Sequence, residues 1–178
     1  MLNGDIMKKI IVLTTFILFV MGALFAQNVK VAYIDSERIM MESKDTKEAQ
    51  SLFQKDREGW MRQIDDLDAE IQRLESDFNT KKLTLSASGK KQAEDKIEEK
   101  KNARKEIVES IFGDNGRAQS RNAELLQPIM TKLRVIIERI AVEENYAMIF
   151  DASSAGIIWA QPRLDLTEQI INEMNKTE

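Results

Sequence analysis

A heptad pattern of apolar residues places the strongest constraint on the fold of this chain. Between residues 60 and 78 the apolar side chains recur in alternating steps of four and three, at Trp60, Ile64, Leu67, Ile71, Leu74 and Phe78. The residues between them are mostly charged or polar, so only one narrow stripe of a helix is apolar. Such a stripe is typical of a helix that packs lengthwise on another helix. The pattern predicts a long helix over about residues 46–83.

A turn and a second long helix are predicted after this stripe. Residues 83–89 have few charges and contain serine and glycine, which indicates the tip of a helical hairpin. The returning helix is predicted over about residues 90–144, with Ile97, Val108 and Ile111 among its apolar positions. Because the chain reverses at the tip, we expect the stripe to pack against the chain's own returning helix. The two helices predict an arm about 55 Å long.

Two interruptions are expected in the returning helix. Residues 113–116 (GDNG) are a poor helical sequence, since each glycine costs about 1 kcal/mol relative to alanine. Pro128 removes one backbone donor and should bend the helix. Both features are compatible with a local irregularity that has no function. The glycine pair is also compatible with a hinge that lets the arm swing. A hinge predicts that, within the middle of the arm, hydrogen exchange is fastest at residues 113–116.

Three short strands are predicted outside the arm. Runs of β-branched and aromatic residues indicate strands at residues 29–34, 146–150 and 157–160, the last two as a β-hairpin. The helical hairpin would bring the first strand to the other two at its base. So small a sheet cannot cover its own edges, which predicts pairing between chains in a closed symmetric oligomer.

Two short helices complete the predicted body. The first is expected to start at a cap formed by Asp35 or Ser36, and the last at a cap formed by Asp165 or Thr167. The predicted fold is therefore mainly α with a small β part. We expect one domain over residues 27–178. Its body comprises about residues 27–48 and 118–178, and its arm comprises about residues 49–117, with the tip near residues 83–90.

The first 26 residues have the organisation of a cleaved secretory signal peptide. Lys8 and Lys9 precede an apolar run over residues 10–20, and small residues precede a predicted cut after Ala26. A retained membrane anchor is the alternative, but the run is shorter than the roughly 20 residues of a spanning helix. No cysteine follows the signal, which excludes a lipid-anchored lipoprotein. Translation could start at Met1 or at Met7.

The chain contains no cysteine and no histidine. Disulfides are therefore impossible, and both the commonest general base and the commonest zinc ligand are missing. Four neighbouring acidic residues could be imagined as a metal or acid site: Asp65, Asp66, Asp68 and Glu70. Carboxylates beside an apolar stripe are, however, usually a solvated helix face. We expect no catalytic site, no metal and no cofactor, so an enzyme is the weakest functional class.

Charge is distributed unevenly along the chain. Residues 79–105 contain nine basic and four acidic residues, a net charge of +5, whereas residues 27–78 and 106–178 each carry −5. The pattern is compatible with an ordinary solvated helical surface. It also predicts a basic tip that attracts anionic protein segments or lipid headgroups over the short range that salt screening allows. Nucleic acid is a poor candidate for an exported acidic chain.

Segments at both ends of the arm carry a resemblance to a known family. They are residues 29–35 (VKVAYID), 125–129 (LLQPI), 146–151 (YAMIFD), 156–160 (GIIWA) and 165–167 (DLT). Together these segments resemble the Skp/OmpH-like family of periplasmic chaperones. The resemblance implies a periplasmic homotrimer with a central β-barrel between subunits and three helical arms around a cavity. It also implies ATP-independent holding of unfolded outer-membrane proteins, with no catalytic residues and no cofactor.

The leading functional prediction is therefore a periplasmic holdase chaperone, and the alternative is a coiled-coil structural or adaptor protein of the envelope with one dedicated folded partner. Anionic lipid at the arm tips is a further expected partner. Candidate client contacts are arm residues outside the stripe: Met61, Lys81, Lys82, Leu83, Leu85, Lys90 and Lys91. Candidate contacts between subunits lie on the predicted strands: Val31, Tyr33, Ile149, Ile157 and Trp159.

Overall fold

The computed structural model of the protein describes residues 29–176, so the predicted signal peptide lies outside the described residues. The chain forms, in order, β1 (Val31–Ile34), α1 (Ser36–Glu42), α2 (Lys44–Lys81), α3 (Ala87–Phe112), α4 (Arg117–Glu143), β2 (Met148–Asp151), a 3-10 turn (Pro162–Leu164) and α5 (Thr167–Met174). The mainly helical fold with a small β part, predicted from the sequence, is confirmed. Among the described residues, no helix is both long and apolar enough to span a membrane.

The short helix α1 connects the first strand to the arm. The Asp35 side chain caps it by accepting a hydrogen bond from the Arg38 backbone N–H at 2.9 Å, as predicted. Ser43, which is fully buried, separates α1 from α2. The connection between α1 and α2 is therefore a single residue.

Helices α2 and α3 form the predicted helical hairpin. α2 is continuous over 38 residues, which corresponds to a length of about 57 Å. α3 packs against it after a turn at residues 82–86. The Ser86 side chain caps α3 by accepting a hydrogen bond from the Gly89 N–H at 3.1 Å. All six residues of the heptad stripe are buried or half-buried, so its predicted packing within the chain is confirmed.

The returning helix is divided at residues 113–116, as the glycine pair predicts. The Gly113 N–H ends α3 by bonding to the Glu109 carbonyl, and Asn115 takes a positive φ of 57°. A side chain at Gly116 would place its Cβ 2.6 Å from the Ile111 carbonyl oxygen. The break therefore has a defined, tightly packed backbone. Pro128 lies inside α4 and does not end that helix.

Strands β1 and β2 pair in parallel, with Val31 opposite Met148 and Ile34 opposite Asp151. Parallel strands need a long crossover connection, which here is the entire helical arm. The predicted β-hairpin is wrong, because residues 157–160 form no strand in the described structure. Instead, the other edge of β1 receives the segment before α5, where the Leu166 N–H bonds to the Tyr33 carbonyl at 3.0 Å.

The apolar core lies in the body, between the inner face of the sheet and the helices. α4 and α5 pack on each other and α1 packs on α5. The core comprises Ala32, Ile34, Ile39, Ala49, Ile129, Leu133, Ile136, Ile140, Leu166, Ile170, Ile171 and Met174. A partly buried hydrogen bond joins the residue after β1 to the first residue of α5, since Thr167 Oγ1 accepts from the Asp35 N–H at 2.9 Å. The buried arm residues lie outside this core cluster, so the arm is stabilised by local packing.

Candidate binding surfaces

The tip of the arm presents one apolar side chain among lysines. Leu83 is 94% exposed, whereas Leu85 is half-buried and lies against Gly89. The Lys82 amine sits 5.6 Å from the centre of the Phe78 ring. Among the described residues, no salt bridge engages the four predicted tip lysines, which are Lys81, Lys82, Lys90 and Lys91. Their charge therefore remains available to an external partner.

Met61 lies on the side of the arm, outside the heptad stripe. Its side chain is 40% exposed in a shallow surface depression that also contains Arg57, Arg62 and Asp65. The structure therefore separates Met61 from the tip candidates along the arm. An unbranched thioether among mixed charges is suited to weak contacts with varied apolar side chains.

Three salt bridges connect the distal half of α2 to α3. Arg104 forms a two-pronged hydrogen bond with Asp68, at 2.5 and 3.0 Å. Hydrogen bonding from Arg104 lowers the pKa of the Asp68 carboxyl despite some desolvation, and the hydrogen bond from Lys100 does the same for Glu70. The third bridge joins Lys101 to Glu75 at 2.7 Å. Two of the four neighbouring acidic residues, Asp68 and Glu70, thus form salt bridges between the helices of the arm. Residues 29–176 contain no group of acidic residues suited to hold a metal ion.

An aromatic cluster lies where the returning helix is broken. Trp60 contacts Phe53 and Phe112 edge to face, with ring centres 6.1 and 6.4 Å apart. One turn closer to the body, Arg121 bonds to Asp56 at 2.8 Å. These contacts fix both sides of the break to the continuous helix α2.

The outer face of the sheet is apolar and partly exposed. Side chains alternate between the two faces of a strand, so Val31, Tyr33, Met148 and Phe150, which we call the sheet surface, point away from the core. Met148 is 51% and Phe150 is 42% exposed. Among the described residues, the edge of β2 that faces away from β1 pairs with no other strand.

The structure divides the predicted subunit-contact residues between two environments. Val31 and Tyr33 lie on the sheet surface, but Ile149 packs against the core of its own chain. Sequence reasoning missed Met148 and Phe150, because the β2 segment is apolar at both alternate positions and so does not specify which face is buried. Desolvation, followed by the charge of Asp165, raises the pKa of the Tyr33 hydroxyl.

The segment after β2 exposes two large apolar side chains. Ile158 is fully exposed and Trp159 is 77% exposed, whereas Ile157 is half-buried. We call residues 157–160 the apolar loop. It lies between β2 and the 3-10 turn and forms neither helix nor strand. The loop and the sheet surface together give the body a set of uncovered apolar groups.

The fold and these surfaces define a class of protein: a small α/β body that carries one long helical hairpin and presents exposed apolar and basic groups. The comparison with known families identifies the class further. The family model described as "Outer membrane protein (OmpH-like)" matches residues 30–174. The chain therefore belongs to the OmpH-like family, as its sequence resemblance predicted.

One relative in sequence and one solved structure are similar to the chain over most of its length. An uncharacterized protein from Aquifex aeolicus is 26% identical over 176 residues, covering 96% of this chain and 98% of its own. In structure, the chain is similar to a candidate outer membrane chaperone (OmpH-like) from Caulobacter crescentus, with a TM-score of 0.74 and 14% identity. That match covers 82% of this chain and 83% of the other, and it supports the same fold.

Proposed function

We propose that the protein is an ATP-independent periplasmic holdase that binds unfolded outer-membrane proteins between its arms and delivers them for membrane insertion. The observation that carries this proposal is the arm, a two-helix rod built along α2, which is about 57 Å long. The rod has its own salt bridges and few fully buried residues. Several such rods can surround an unfolded chain without burying it in a core. Membership of the OmpH-like family supports the same role.

The cavity needs more than one arm, and we propose that three copies of the body supply them. The open edge of β2 offers unpaired backbone groups, and the sheet surface offers exposed Met148 and Phe150 beside it. Another copy can cover both features at once by strand pairing, and the apolar loop with Trp159 can add a further strand. Closing this contact around a threefold axis gives a β-barrel between subunits, the assembly implied by the family resemblance.

Client holding in this arrangement relies on many weak contacts. Unfolded membrane proteins expose apolar segments and unpaired strands that aggregate with one another. Met61 and Leu83 provide apolar contacts on the arm, and the tip lysines provide charge. Because each contact is weak, the client can leave without nucleotide hydrolysis.

A light-scattering assay tests the holdase. Residues 27–178 at a stoichiometric ratio should suppress aggregation of an outer-membrane protein diluted from urea, in the absence of nucleotide. Met61→Lys should reduce suppression without changing the mass of the assembly, whereas Phe150→Lys should give a folded monomer that fails to suppress aggregation. Circular dichroism checks folding and multi-angle light scattering checks mass. If the outer-membrane protein aggregates freely in the presence of a native trimer, the holdase is rejected. If the native protein is a monomer, the β-barrel between subunits is rejected.

The alternative function is an envelope adaptor with one dedicated folded partner. The long arm favours it, because a coiled-coil rod also serves as a spacer. A pull-down from envelope extract separates the two functions. An adaptor retains one folded protein at near-equal amounts, whereas a holdase retains many unfolded membrane proteins and releases them after they fold.

The tip supports a second binding property, contact with an anionic lipid surface. Leu83 is the most exposed apolar residue of the arm, and lysines flank it on both sides of the turn. A leucine can enter the headgroup region while the lysines bind phosphate groups. Flotation should recover the protein with phosphatidylglycerol vesicles and not with phosphatidylcholine vesicles. Leu83→Ser should weaken recovery and Lys81→Glu with Lys82→Glu should abolish it, whereas equal recovery with both lipids contradicts the proposal.

A further inference from the structure

Two positions of α3 that face α2 carry cations where a helical hairpin usually has apolar residues. We call the row of α3 positions that face α2 the seam. On α3 the positions that face α2 run from Ala93 and Ile97 through Lys100 and Arg104 before apolar residues resume. The spacing of three and four residues is unbroken, so both cations occupy positions that a heptad normally fills with aliphatic side chains. Ile71 of α2, the neighbour of the Lys100 partner Glu70, is only 7% exposed. Long cationic side chains can cover apolar surface with their stems while their charged ends reach solvent.

Carboxylates of α2 hold these charged ends in place. Lys100 bonds to Glu70 at 2.9 Å, and Arg104 bonds to Asp68 through both of its prongs. Lys101, at the adjacent position, bonds to Glu75. We call these three salt bridges the ionic clasp. Its side chains are between 28% and 49% exposed, so solvent and salt reach every pair.

Few residues of the arm are fully buried from the clasp to the tip. In this distal arm, residues 67–81 and 87–104, only Ile71 and Ile97 are less than one-tenth exposed. By contrast, twelve buried residues form one continuous core in the body. Helical segments of about 15 residues are marginal in water by themselves. The distal helices thus depend on contact with each other, through the buried and half-buried residues of the heptad stripe and through the clasp.

We propose that the ionic clasp makes the distal arm sensitive to ionic strength. At high salt its two helices separate and fray while the body stays folded. Screening length falls from about 30 Å at 0.01 M salt to about 3 Å at 1 M. The exposed pairs weaken over this range, but the apolar core of the body does not. The functional consequence rests on the proposed holdase: the arms would open the mouth of the cavity in concentrated salt and narrow it in dilute salt.

Hydrogen exchange measured by mass spectrometry at about 0.01 M and 1 M NaCl tests the clasp without any client. Protection of residues 67–81 and 87–104 should fall about fivefold at high salt, the size expected for a few exposed ion pairs. Protection of α4 should not fall. Equal protection of the distal arm at both salt concentrations, or an equal loss in α4, overturns the proposal.

Variants distinguish the clasp from a general effect of salt. Lys100→Leu combined with Arg104→Leu restores an apolar seam and removes two of the three pairs of the clasp. The salt dependence of protection should therefore shrink to what the Lys101–Glu75 pair contributes. Asp68→Arg alone should lower protection at low salt, and adding Arg104→Asp should recover both protection and its salt dependence. Glu138→Arg, which removes an exposed pair on α4, is the matched control and should leave the distal arm unchanged.

Salt dependence that persists undiminished in the leucine variant also overturns the proposal. These outcomes are independent of the holdase, because exchange is measured on the protein alone. A failed aggregation assay would reject the role of the cavity and leave the clasp in place.

Discussion

Asp151, the last residue of β2, accepts two hydrogen bonds from Ser36, 115 positions earlier in the chain. One comes from the Ser36 backbone N–H at 3.2 Å and the other from its hydroxyl at 2.6 Å. Ser36 is the first residue of α1, so the carboxylate joins the end of one strand to the start of a helix. Ser153 donates to the same carboxylate from its backbone and its hydroxyl. This cluster therefore joins the two segments of the body that the arm separates in the sequence.

We expect Asp151→Ala to lower the free energy of unfolding by about 1–3 kcal/mol at pH 7, because several donors lose their charged acceptor. Partial burial acts to raise the pKa of Asp151, but the hydrogen bonds from Ser36 and Ser153 outweigh it and the pKa is lowered. The stabilisation is therefore complete above the unfolded value of about 3.9 and is lost as the pH falls through the folded pKa. Urea denaturation at neutral and acidic pH should show the native chain and the variant converging in acid, and a pH-independent difference would contradict this.

Two glycines of the arm should respond oppositely to substitution by alanine. At Gly116 the new Cβ would meet the Ile111 carbonyl oxygen at 2.6 Å, so Gly116→Ala must distort the break. At Gly59, inside α2, the nearest atom is the end of the Arg62 side chain at 3.9 Å. Gly59→Ala should therefore stabilise the protein by about 0.5–1 kcal/mol. Thermal denaturation of the two variants provides the comparison, and a tolerated alanine at Gly116 would show that the break adjusts freely.

Truncation of an apolar side chain should be costly at buried positions of the body helices and not at exposed ones. Ile170 of α5 is fully buried, and Ile170→Ala should reduce the free energy of unfolding by about 2–5 kcal/mol. Val142 on α4 is 78% exposed, so Val142→Ala should change it by less than about 0.5 kcal/mol. Chemical denaturation measures both. Similar losses would indicate that Val142 is covered, for example by another subunit.

Lys30 stabilises the end of α4. Its amine donates to the Glu144 carbonyl at 2.9 Å and lies 3.9 Å from the centre of the Tyr146 ring. Replacing the charge while keeping the stem, in Lys30→Met, should cost about 0.5–1 kcal/mol, with Lys30→Arg as the conservative control. The measurement is urea denaturation at low salt. A neutral effect of Lys30→Met would mean that water replaces the amine.

Local rules accounted for the helical part of the fold. The heptad stripe, the cap at Asp35 and the glycine pair at 113–116 each act within a few residues, and the structure agrees with all three. Boundaries moved by only a few residues, as for α2, which begins at Lys44. These features were accessible because helix packing and capping are encoded by short, regular spacings.

Strand partners were not accessible in the same way. The composition of residues 157–160 suits a strand, but pairing depends on which edge is available in three dimensions, and β1 takes β2 and the segment before α5 instead. The faces of β2 were equally undetermined, because Met148, Ile149 and Phe150 are all apolar. The fold places Ile149 inside and the other two outside. Side chains at the tip could be placed from the sequence because the turn residues were clear.

The continuity of α2 has a mechanical consequence. α3 and α4 are separated by a break, but α2 runs without interruption from the buried Ser43 to the tip. Its base packs in the core of the body through Ala49, so a tilt of the helix there is transmitted to the tip. Over its length of about 57 Å, a tilt of about 10° at the base would carry the tip about 10 Å sideways. Repacking of a few side chains around Ala49 and Ile129 would thus be amplified into a large change of reach.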